Sequence, residues 1–407
     1  MRLRKRAAAL TLGAGVLFLL GTNVQAGWLY VMCALLLGTV VAGAILPGRM
    51  LRGIEVTRHV PEEVEQGDEI PVELIVSSRA RGVRLGLRID DAHVAPTSVY
   101  VTSVLPGERV ELVTARLAAK RGVHQGSPVV LRSTAPFGVA ERRRKLTVAG
   151  STTVLPAVIG LSGLPFVSPA SDLARASRQT SRRGGGPEYL GVREYRPGDS
   201  PRNVHWPSTA RTGTIMVREL EEERSQRVAM LVDTLTDVGD VATPLDACCT
   251  AAASIARCAL DDGHAIRSLS SVAPRGEIEM ADEIDETSYR RRLAGLQPNG
   301  ITLATAVEAA GTCLATVDEV ILVFPTWRTN GDATLARAVE ELAGGRPHVV
   351  AIVVEVGPED ARRIAALRPE EVDDVEAVLR RAGAEVYVWR HGQPLPTAFL
   401  VEAVMMP

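Results

Sequence analysis

Two long apolar stretches open the chain, and no charged residue interrupts either of them. They cover about residues 7–21 and 26–46. A run of about 20 apolar residues is long enough to cross a bilayer as a helix, so the pattern predicts a transmembrane helical hairpin within residues 1–50. Arg49 and Arg52 follow the second stretch. The positive-inside rule then places the rest of the chain in the cytoplasm.

The first apolar stretch has two further interpretations. It follows a basic start and is followed by Val24-Gln25-Ala26, which resembles the cleavage site of a signal peptide. A pair of buried helices in a soluble protein is the other alternative, but charged residues would then mark the solvent-facing side of each helix. Both stretches have none. The uncleaved hairpin is the favoured prediction.

A period of two residues characterises the next segment, 54–150. Apolar and polar residues alternate there in short runs, separated by turn residues such as Gly67 and Gly107. The clearest predicted strands are 70–76, 83–89 and 109–115. Short strands without helical runs between them predict an all-β sandwich domain of the immunoglobulin or fibronectin kind. Such modules bind or space other domains more often than they catalyse.

A third pattern, in which strands alternate with helices, covers residues 225–407. It begins with the continuous apolar run 227–233, which is typical of a strand buried on both faces of a parallel sheet. The other predicted helices lie near 244–260, 285–296, 304–314, 333–343 and 370–382, and the other predicted strands near 264–272, 319–324, 349–354 and 385–389. The alternation predicts a doubly wound α/β domain, whose working crevice lies beyond the carboxyl ends of its strands.

Two basic segments interrupt these patterns. Residues 151–187 are predicted to be a linker and mobile loop, because their part from about 165 to 186 is rich in Ser, Ala, Arg and Gly and contains no phosphate-loop pattern. The arginines of this loop could hold an anionic partner segment. The run 141–145, Glu-Arg-Arg-Arg-Lys, is predicted to be an exposed strand or loop with solvated charge. A lipid-binding patch is the alternative, because a basic cluster is attracted to an anionic membrane surface.

The stretch 188–224 is the most particular part of the sequence. It carries Tyr195 and Trp206, although aromatic residues make up only 4% of the chain. Residues 197–199, Pro-Gly-Asp, have the chemistry of a tight turn, because proline pre-sets one backbone angle and glycine tolerates the next. The apolar, β-branched run 214–217 predicts a strand.

A helix is predicted between that turn and that strand. Ser200 is suited to be its N-cap, and Pro201 to occupy its first position, where a missing N–H costs nothing. Gly213 is suited to the left-handed C-cap. Arg202 and Trp206 are four residues apart, so they would share one helix face and could form a cation–π pair.

This stretch resembles the family called domain of unknown function 58 (DUF58), whose hallmark is a run close to R-E-Y-x-P-G-D-D-x-R-x-I-D-W-x-x-x-A-R. The matching residues are Arg193, Glu194, Tyr195, Pro197, Gly198, Asp199, Arg202, Trp206, Ala210 and Arg211. Ser200 and His205 stand where the family usually carries acids. Residues 121–124 and 135–139 resemble two further family segments, R-G-x-Y and D-P-F-G-L.

The resemblance implies an architecture and a partner. Family members often have a membrane hairpin, a β domain, this motif and a von Willebrand factor A-like domain in that order. They are commonly encoded beside MoxR-type AAA+ ATPases, and A-type domains in such systems act as adaptors in assembling other proteins. The motif would then dock a partner or form a charged latch between the β and α/β domains. The residues assigned to this role are Arg193, Glu194, Tyr195, Pro197, Gly198, Asp199, Arg202, Trp206 and Arg211.

An A-type domain raises the question of a metal site. In such domains the first strand ends in D-x-S-x-S, and a later Thr and Asp complete a divalent-cation site. Asp233 and Asp237 begin and end the corresponding run here, but Leu235 replaces the first serine and cannot ligate. Thr302 could stand for the later Thr. A hard cation needs several oxygen ligands, so this degenerate site predicts no bound metal, with Mg²⁺ as the alternative.

Several function classes are disfavoured by composition. A net charge of −2 lacks the basic excess of a nucleic-acid-binding protein, and the five cysteines show no zinc spacing. Ser200 and Ser208 lie near His205 but not in a G-x-S-x-G elbow, so an enzyme is not expected. The sequence predicts a membrane-anchored, cytoplasm-facing interaction or adaptor protein. A divalent-metal-dependent ligand-binding module and a hydrolase are the alternatives.

Overall fold

A computed structural model describes most of the chain, in two compact units. The described residues are 2–3, 5–166, 189–196, 204–220, 226–235, 237, 243–272, 277–281, 284–326, 333–355, 357, 375–390 and 392–399. Unit 1 consists of Met1–Ala157, Gly239–Cys249 and Arg290–Gln297. Unit 2 consists of Val158–Val238, Thr250–Tyr289 and Pro298–Pro407.

Unit 1 begins with two long helices, α1 (Lys5–Val24) and α2 (Gly27–Met50). The chain reverses between them at Gln25, whose φ is 53°. The rings of Phe18 and Tyr30 pack edge-on across the pair, with their centroids 5.8 Å apart. Both helices are long and apolar enough to cross a membrane, and only 17% of each apolar window is buried in the protein. This exposure fits a membrane anchor better than a pair of soluble core helices.

The strands of unit 1 form three sheets. In chain order they are β1 (Arg2–Leu3), β2 (Ile54–His59), β3 (Glu63–Glu65), β4 (Glu69–Ser78), β5 (Arg84–Asp91), β6 (Thr97–Val104), β7 (Arg109–Leu117), β8 (Gly122–His124), β9 (Val129–Ser133), β10 (Ala140–Leu146) and β11 (Thr152–Leu155). The sheet orders are β2-β4-β7, β1-β10-β9-β5-β6 and β3-β11-β8. The pairing is antiparallel throughout, except for β3 with β11.

The sheets β2-β4-β7 and β1-β10-β9-β5-β6 share one hydrophobic core, which explains the alternating sequence pattern. Val72, Leu74 and Val76 of β4 and Leu87 and Ile89 of β5 are fully buried in it. Successive side chains of a strand point to opposite faces, so alternate residues enter this core while their neighbours face outward. The three predicted strands and both predicted glycine turns are confirmed. The predicted linker range includes β11.

Unit 2 contains a six-stranded sheet and a separate two-stranded hairpin. The sheet strands are β14 (Arg227–Val232), β15 (Ala265–Val272), β16 (Glu277–Ala281), β17 (Glu319–Pro325), β18 (His348–Val354) and β19 (Glu385–Trp389). Their order is β16-β15-β14-β17-β18-β19, and only β16 runs antiparallel to its neighbour. The hairpin pairs β12 (Tyr189–Glu194) with β13 (Met216–Leu220).

The remaining helices, except α3, match the predicted ones closely. They are α3 (Trp206–Thr212), α4 (Pro244–Asp261), α5 (Glu286–Gly295), α6 (Leu303–Leu314), α7 (Ala333–Ala343) and α8 (Val375–Arg381), followed by a 3₁₀ turn at Leu395–Phe399. The helix predicted over 370–382 is described only from residue 375 onward. Strand β16 was not predicted, because a short edge strand with alternating glutamates resembles a polar loop in sequence.

Candidate functional site

The DUF58-like stretch forms a hairpin with a short helix inserted into it. The backbone N–H of Tyr195 donates to the carbonyl of Ile215 at 2.8 Å, which extends the β12–β13 pairing by one step. Val204 then forms an isolated β-bridge with Val217, and the N–H of His205 donates to the carbonyl of Met216 at 2.7 Å. The chain therefore returns to β13 immediately before α3 begins.

Local capping sets both ends of α3. Nδ1 of His205 accepts from the backbone N–H of Ser208 at 3.3 Å, so His205 is the N-cap. Gly213 is the C-cap, with a φ of 73° that a residue with a Cβ adopts only with strain. The hydroxyl of Thr209 accepts from the N–H of Met216 at 3.0 Å, which ties the helix to β13.

The predicted start of this helix is corrected by five residues. The helix begins at Trp206, not after Ser200, because Val204 is still engaged in a β-bridge and His205 is the residue that caps it. The predicted pairing of Arg202 with Trp206, like the predicted cap at Ser200, lies outside the described residues. The predicted C-terminal end at Gly213 is confirmed.

Among the described side chains of this hairpin, three large apolar ones are exposed, and together we call them the hairpin surface. Trp206 is 70% exposed, Ile215 51% and Tyr195 42%. Sequence reasoning singled out Tyr195 and Trp206 but missed Ile215. An apolar residue in a β-branched run predicts burial, and nothing in the sequence marks this one as solvent-facing.

The other predicted motif residues divide into two groups. Glu194 and Arg211 are exposed, whereas Arg193 is half-buried and donates through Nη1 to the carbonyl of Glu194 at 3.1 Å. The remaining predicted residues lie outside the described part of the chain: Pro197, Gly198, Asp199 and Arg202.

A serine–histidine contact lies at the start of α3. Nδ1 of His205 is 2.8 Å from Oγ of Ser208, and both residues are half-buried. This is within the distance at which a histidine takes a proton from a hydroxyl. The same nitrogen also accepts from the backbone N–H of Ser208, so the contact has a structural explanation in the helix cap.

The crevice of the six-stranded sheet lies where its strand order reverses, between β14 and β17. Asp233 and Thr234 follow β14 and are 4% exposed each. Thr234 donates through its hydroxyl to Oδ1 of Asn299 at 3.1 Å, and Asn299 donates through its backbone N–H to the carbonyl of Thr234 at 2.7 Å. The two loops at this edge are therefore joined by hydrogen bonds.

Two of the three residues proposed for a metal, Asp233 and Thr302, have structural roles in this crevice. Oδ1 of Asp233 accepts from the N–H of Leu235 at 3.0 Å, which closes a local turn. Thr302 caps α6, since its hydroxyl accepts from the N–H of Thr305 at 3.1 Å. Asp237 is half-buried. Within the described ranges, no group of three His, Cys, Asp or Glu side chains is placed to hold a metal ion.

A titratable cluster lies at the opposite edge of the sheet, where β17, β18 and β19 begin. Glu319 is 3% exposed, and its Oε1 lies 3.4 Å from Nδ1 of His348. Nε2 of His348 lies 3.3 Å from Oε2 of Glu385, and the other oxygen of this carboxylate, Oε1, accepts a hydrogen bond from the hydroxyl of Tyr387. Burial, with the charge of Glu385 as the second cause, raises the pKa of Glu319 to about 8.

The free energy of unfolding is expected to fall as the pH rises from about 4.5 towards 8. The unfolded chain releases the Glu319 proton near pH 4.5, whereas the folded chain holds it to about pH 8. Glu319 therefore makes its full contribution to the free energy of unfolding below about pH 4.5, and this contribution is lost above about pH 8. Between these pH values the free energy of unfolding falls by up to about 1.4 kcal/mol per pH unit. Glu319→Gln keeps a neutral group of the same shape and should remove this slope.

Urea unfolding at a series of pH values measures this effect. Glu308→Gln is the matched control, because Glu308 is exposed on α6 and its loss should leave the slope unchanged. A Glu319→Gln variant with the slope of the parent protein would show that another group causes the pH dependence.

Comparison with known proteins gives one family and a few weak structural likenesses. Residues 191–272 match the model of a family described as "Protein of unknown function DUF58". This range begins within β12, includes the hairpin surface and ends with β15. No curated protein matches the chain.

The solved structures that resemble the chain do so at low scores. The CARDB domain of PF1109 from Pyrococcus furiosus is 11% identical over 24% of this chain and 94% of that chain, with a TM-score of 0.17. A GH20 exo β-N-acetylglucosaminidase from Vibrio harveyi is 9% identical over 83% of this chain and 81% of that chain, with a TM-score of 0.20. These likenesses carry no argument about fold or function.

Proposed function

Because the chain belongs to the DUF58 family through residues 191–272, we propose that it is a membrane-anchored, cytoplasm-facing interaction protein. In this proposal it works with a MoxR-type AAA+ ATPase in the assembly or maturation of other proteins. Helices α1 and α2 supply the anchor, and the hairpin surface binds the partner.

The proposal includes two finer fold assignments. Unit 1 is assigned an immunoglobulin- or fibronectin-like sandwich, on the support of two antiparallel sheets around one core. Unit 2 is assigned a von Willebrand factor A-like domain. Counted from β14, its strand order is 3-2-1-4-5-6, which is a doubly wound order. Both kinds of domain are compatible with binding and require no catalytic residue.

The exposed aromatic and aliphatic side chains of the hairpin carry the proposal. Trp206, Tyr195 and Ile215, on one hairpin and its inserted helix, each leave a large apolar area in water, and exposed apolar surface of this kind marks interaction sites. Tryptophan and tyrosine are also the side chains that most often dominate binding energy in interfaces. The backbone around them is held by the β12–β13 pairing and by the caps of α3, so the surface is formed before binding.

Trp206→Ala is expected to weaken partner binding by about 30-fold or more while the melting temperature stays unchanged. Truncation of a central interface aromatic costs about 2 kcal/mol or more, which corresponds to that factor. Because Trp206 is 70% exposed, its removal leaves no cavity in the folded protein. Binding of the full-length protein in membranes to the purified ATPase measures the first effect, and thermal melting measures the second.

Tyr100→Ala is the matched control, since Tyr100 is 65% exposed on β6 of unit 1. It should bind the ATPase as the parent protein does. Unchanged binding by Trp206→Ala would refute the docking role of the hairpin surface. A much lower melting temperature of Trp206→Ala would instead assign the motif a structural role.

A further inference from the structure

Basic residues from two parts of unit 1 converge at one end of the helix pair. The backbone of Leu3 pairs with Ala140, so the start of the chain runs along β10. This pairing brings Lys5 and Arg6, in the first turn of α1, to the β9–β10 connection. Nη1 of Arg6 lies 3.1 Å from the position that a Cβ would occupy at Gly138.

Strand β10 contributes its own positive charges along the last turns of α2. Arg142 donates to the carbonyl of Ala44 at 3.5 Å, and Arg144 donates to the carbonyl of Leu51 at 2.9 Å. Together with Lys5 and Arg6, these two arginines form what we call the basic rim. Glu141 is the acidic residue of this strand, and it pairs with Arg143 and Arg132 outside the rim.

The length of α2 sets the depth of the basic rim in a membrane. Its 24 residues span about 36 Å at 1.5 Å per residue, which exceeds a hydrocarbon core of about 30 Å. The carbonyl of Leu51, the C-cap residue, lies at the level of the lipid headgroups when α2 spans a bilayer, and that of Ala44 lies about 10 Å deeper along the helix. Phe137, 46% exposed in the β9–β10 connection, lies at the same end of the helix pair.

An apolar groove on the helix pair leads away from the basic rim. It has a volume of about 1050 Å³ and is lined by residues of α1 and by Val40 of α2, with Lys5 at its end. Gly15 lines it, and a Cβ added there would have no atom within 4 Å. The groove is therefore open, long and apolar, with a cation at one end, which is the shape and polarity of a phospholipid.

We propose that one anionic phospholipid binds unit 1, with an acyl chain in this groove and its phosphate at the basic rim. The inference rests on the proposed membrane anchor. Charge complementarity selects an anionic headgroup, because the rim presents four cations and its neighbouring glutamate is already paired. The groove is suited to bind an acyl chain, because apolar side chains line most of its length.

The test uses the full-length protein in nanodiscs made of equal amounts of phosphatidylglycerol and phosphatidylcholine. After detergent delipidation, mass spectrometry measures the ratio of the two lipids that remain bound. Enrichment of phosphatidylglycerol is expected. Lys5→Gln should reduce this enrichment by about five-fold, the factor that corresponds to about 1 kcal/mol per membrane-facing charge. Lys120→Gln, which removes an exposed charge beyond β7, should leave the enrichment unchanged.

A second pair of variants tests the groove without changing charge. Gly15→Leu fills it and should reduce the amount of retained lipid, whereas Gly38→Leu, at another open helix position outside the groove lining, should not. Equal retention by the two variants would overturn the groove assignment. The groove assignment would also be overturned if the protein were a dimer that retains no lipid, because a second copy of the chain would then cover the groove.

The outcomes separate this inference from the proposed function. If the protein stays in the bilayer under alkaline extraction but retains both lipids in the bulk ratio, the lipid site is refuted and the membrane anchor stands. If alkaline extraction releases the protein, the anchor itself is refuted, and the lipid site with it.

Discussion

Asp91→Asn is expected to lower the free energy of unfolding of the protein by about 3–5 kcal/mol. Asp91 lies at the end of β5 with its side chain only 1% exposed, between two arginines that are fully buried. Arg58 donates through Nε to Oδ2 of Asp91 at 3.2 Å, and Nη1 of Arg116 lies 2.9 Å from the same oxygen. Removal of the carboxylate charge would leave two guanidinium groups buried without their counter-ion, and an uncompensated buried charge costs about this much.

The surroundings of Asp91 show that this cluster already carries excess positive charge. His93, two residues further on, is 1% exposed, and Nη1 of Arg116 donates to its carbonyl at 2.8 Å. Burial lowers the pKa of His93, and the charge of Arg58 lowers it further, which favours the neutral ring. Aspartate 91 is therefore the group that balances the two arginines.

Urea unfolding of Asp91→Asn against Asp90→Asn measures the effect. Asp90 is the adjacent residue, but its carboxylate is partly exposed and pairs with Arg88 and Arg132 at the surface. Its loss should cost less than that of Asp91, because its arginine partners are 57% and 30% exposed and solvent screens such pairs. Equal destabilisation by the two variants would contradict the assigned role of the buried cluster.

Arg121→Ala is the second substitution with a large expected effect, again about 3–5 kcal/mol. Nε of Arg121 lies 2.9 Å from Oδ1 of Asp246, and both side chains are 3% exposed. Nη1 of Arg121 also donates to the carbonyls of Leu293 at 2.7 Å and Leu296 at 3.0 Å. The alanine would strand a buried carboxylate and remove a cation from the carbonyl end of α5, where it satisfies groups that have no partner within the helix.

Two further variants make this prediction specific. Arg121→Lys keeps the charge but loses the planar fork that reaches the carboxylate and the carbonyls together, so an intermediate loss is expected. Lys120→Ala changes the exposed neighbour and should stay within about 0.5 kcal/mol of the parent protein. If Arg121→Ala melts as Lys120→Ala does, the buried pair contributes little.

The sequence left open whether residues 188–224 form a charged latch, in which their ion pairs join the β and α/β domains. The buried ion pairs described above involve Asp91 and Asp246, and both lie inside unit 1. The DUF58 segment instead presents exposed aromatic groups on a backbone that its own hydrogen bonds hold. The docking alternative for the motif is the proposed function developed above, and its latch alternative is tested by the melting of Trp206→Ala.

Much of the fold could be predicted from the sequence, because the periodicity of apolar residues is a local property. Uninterrupted apolar runs predicted α1 and α2, alternation predicted the strands around Val72 and Ile89, and a continuous apolar run predicted β14. The end of α3 was also predicted, since a glycine in the left-handed region is a local capping signal. The candidate site was predicted only in part, through Tyr195 and Trp206.

The sequence by itself determined most of the helices and strands, with β16 and the start of α3 as exceptions, because backbone propensity, capping and alternation act within a few residues. Only the tertiary structure decided which distant charges meet and which apolar residues stay exposed. Arg121 and Asp246 are 125 positions apart in sequence (246 − 121), and nothing local marks them as partners. Ile215 has the sequence of a buried strand residue, yet it lies in water because it falls in a two-stranded hairpin with one open face. Burial depends on what packs against a residue, and that is a property of the whole fold.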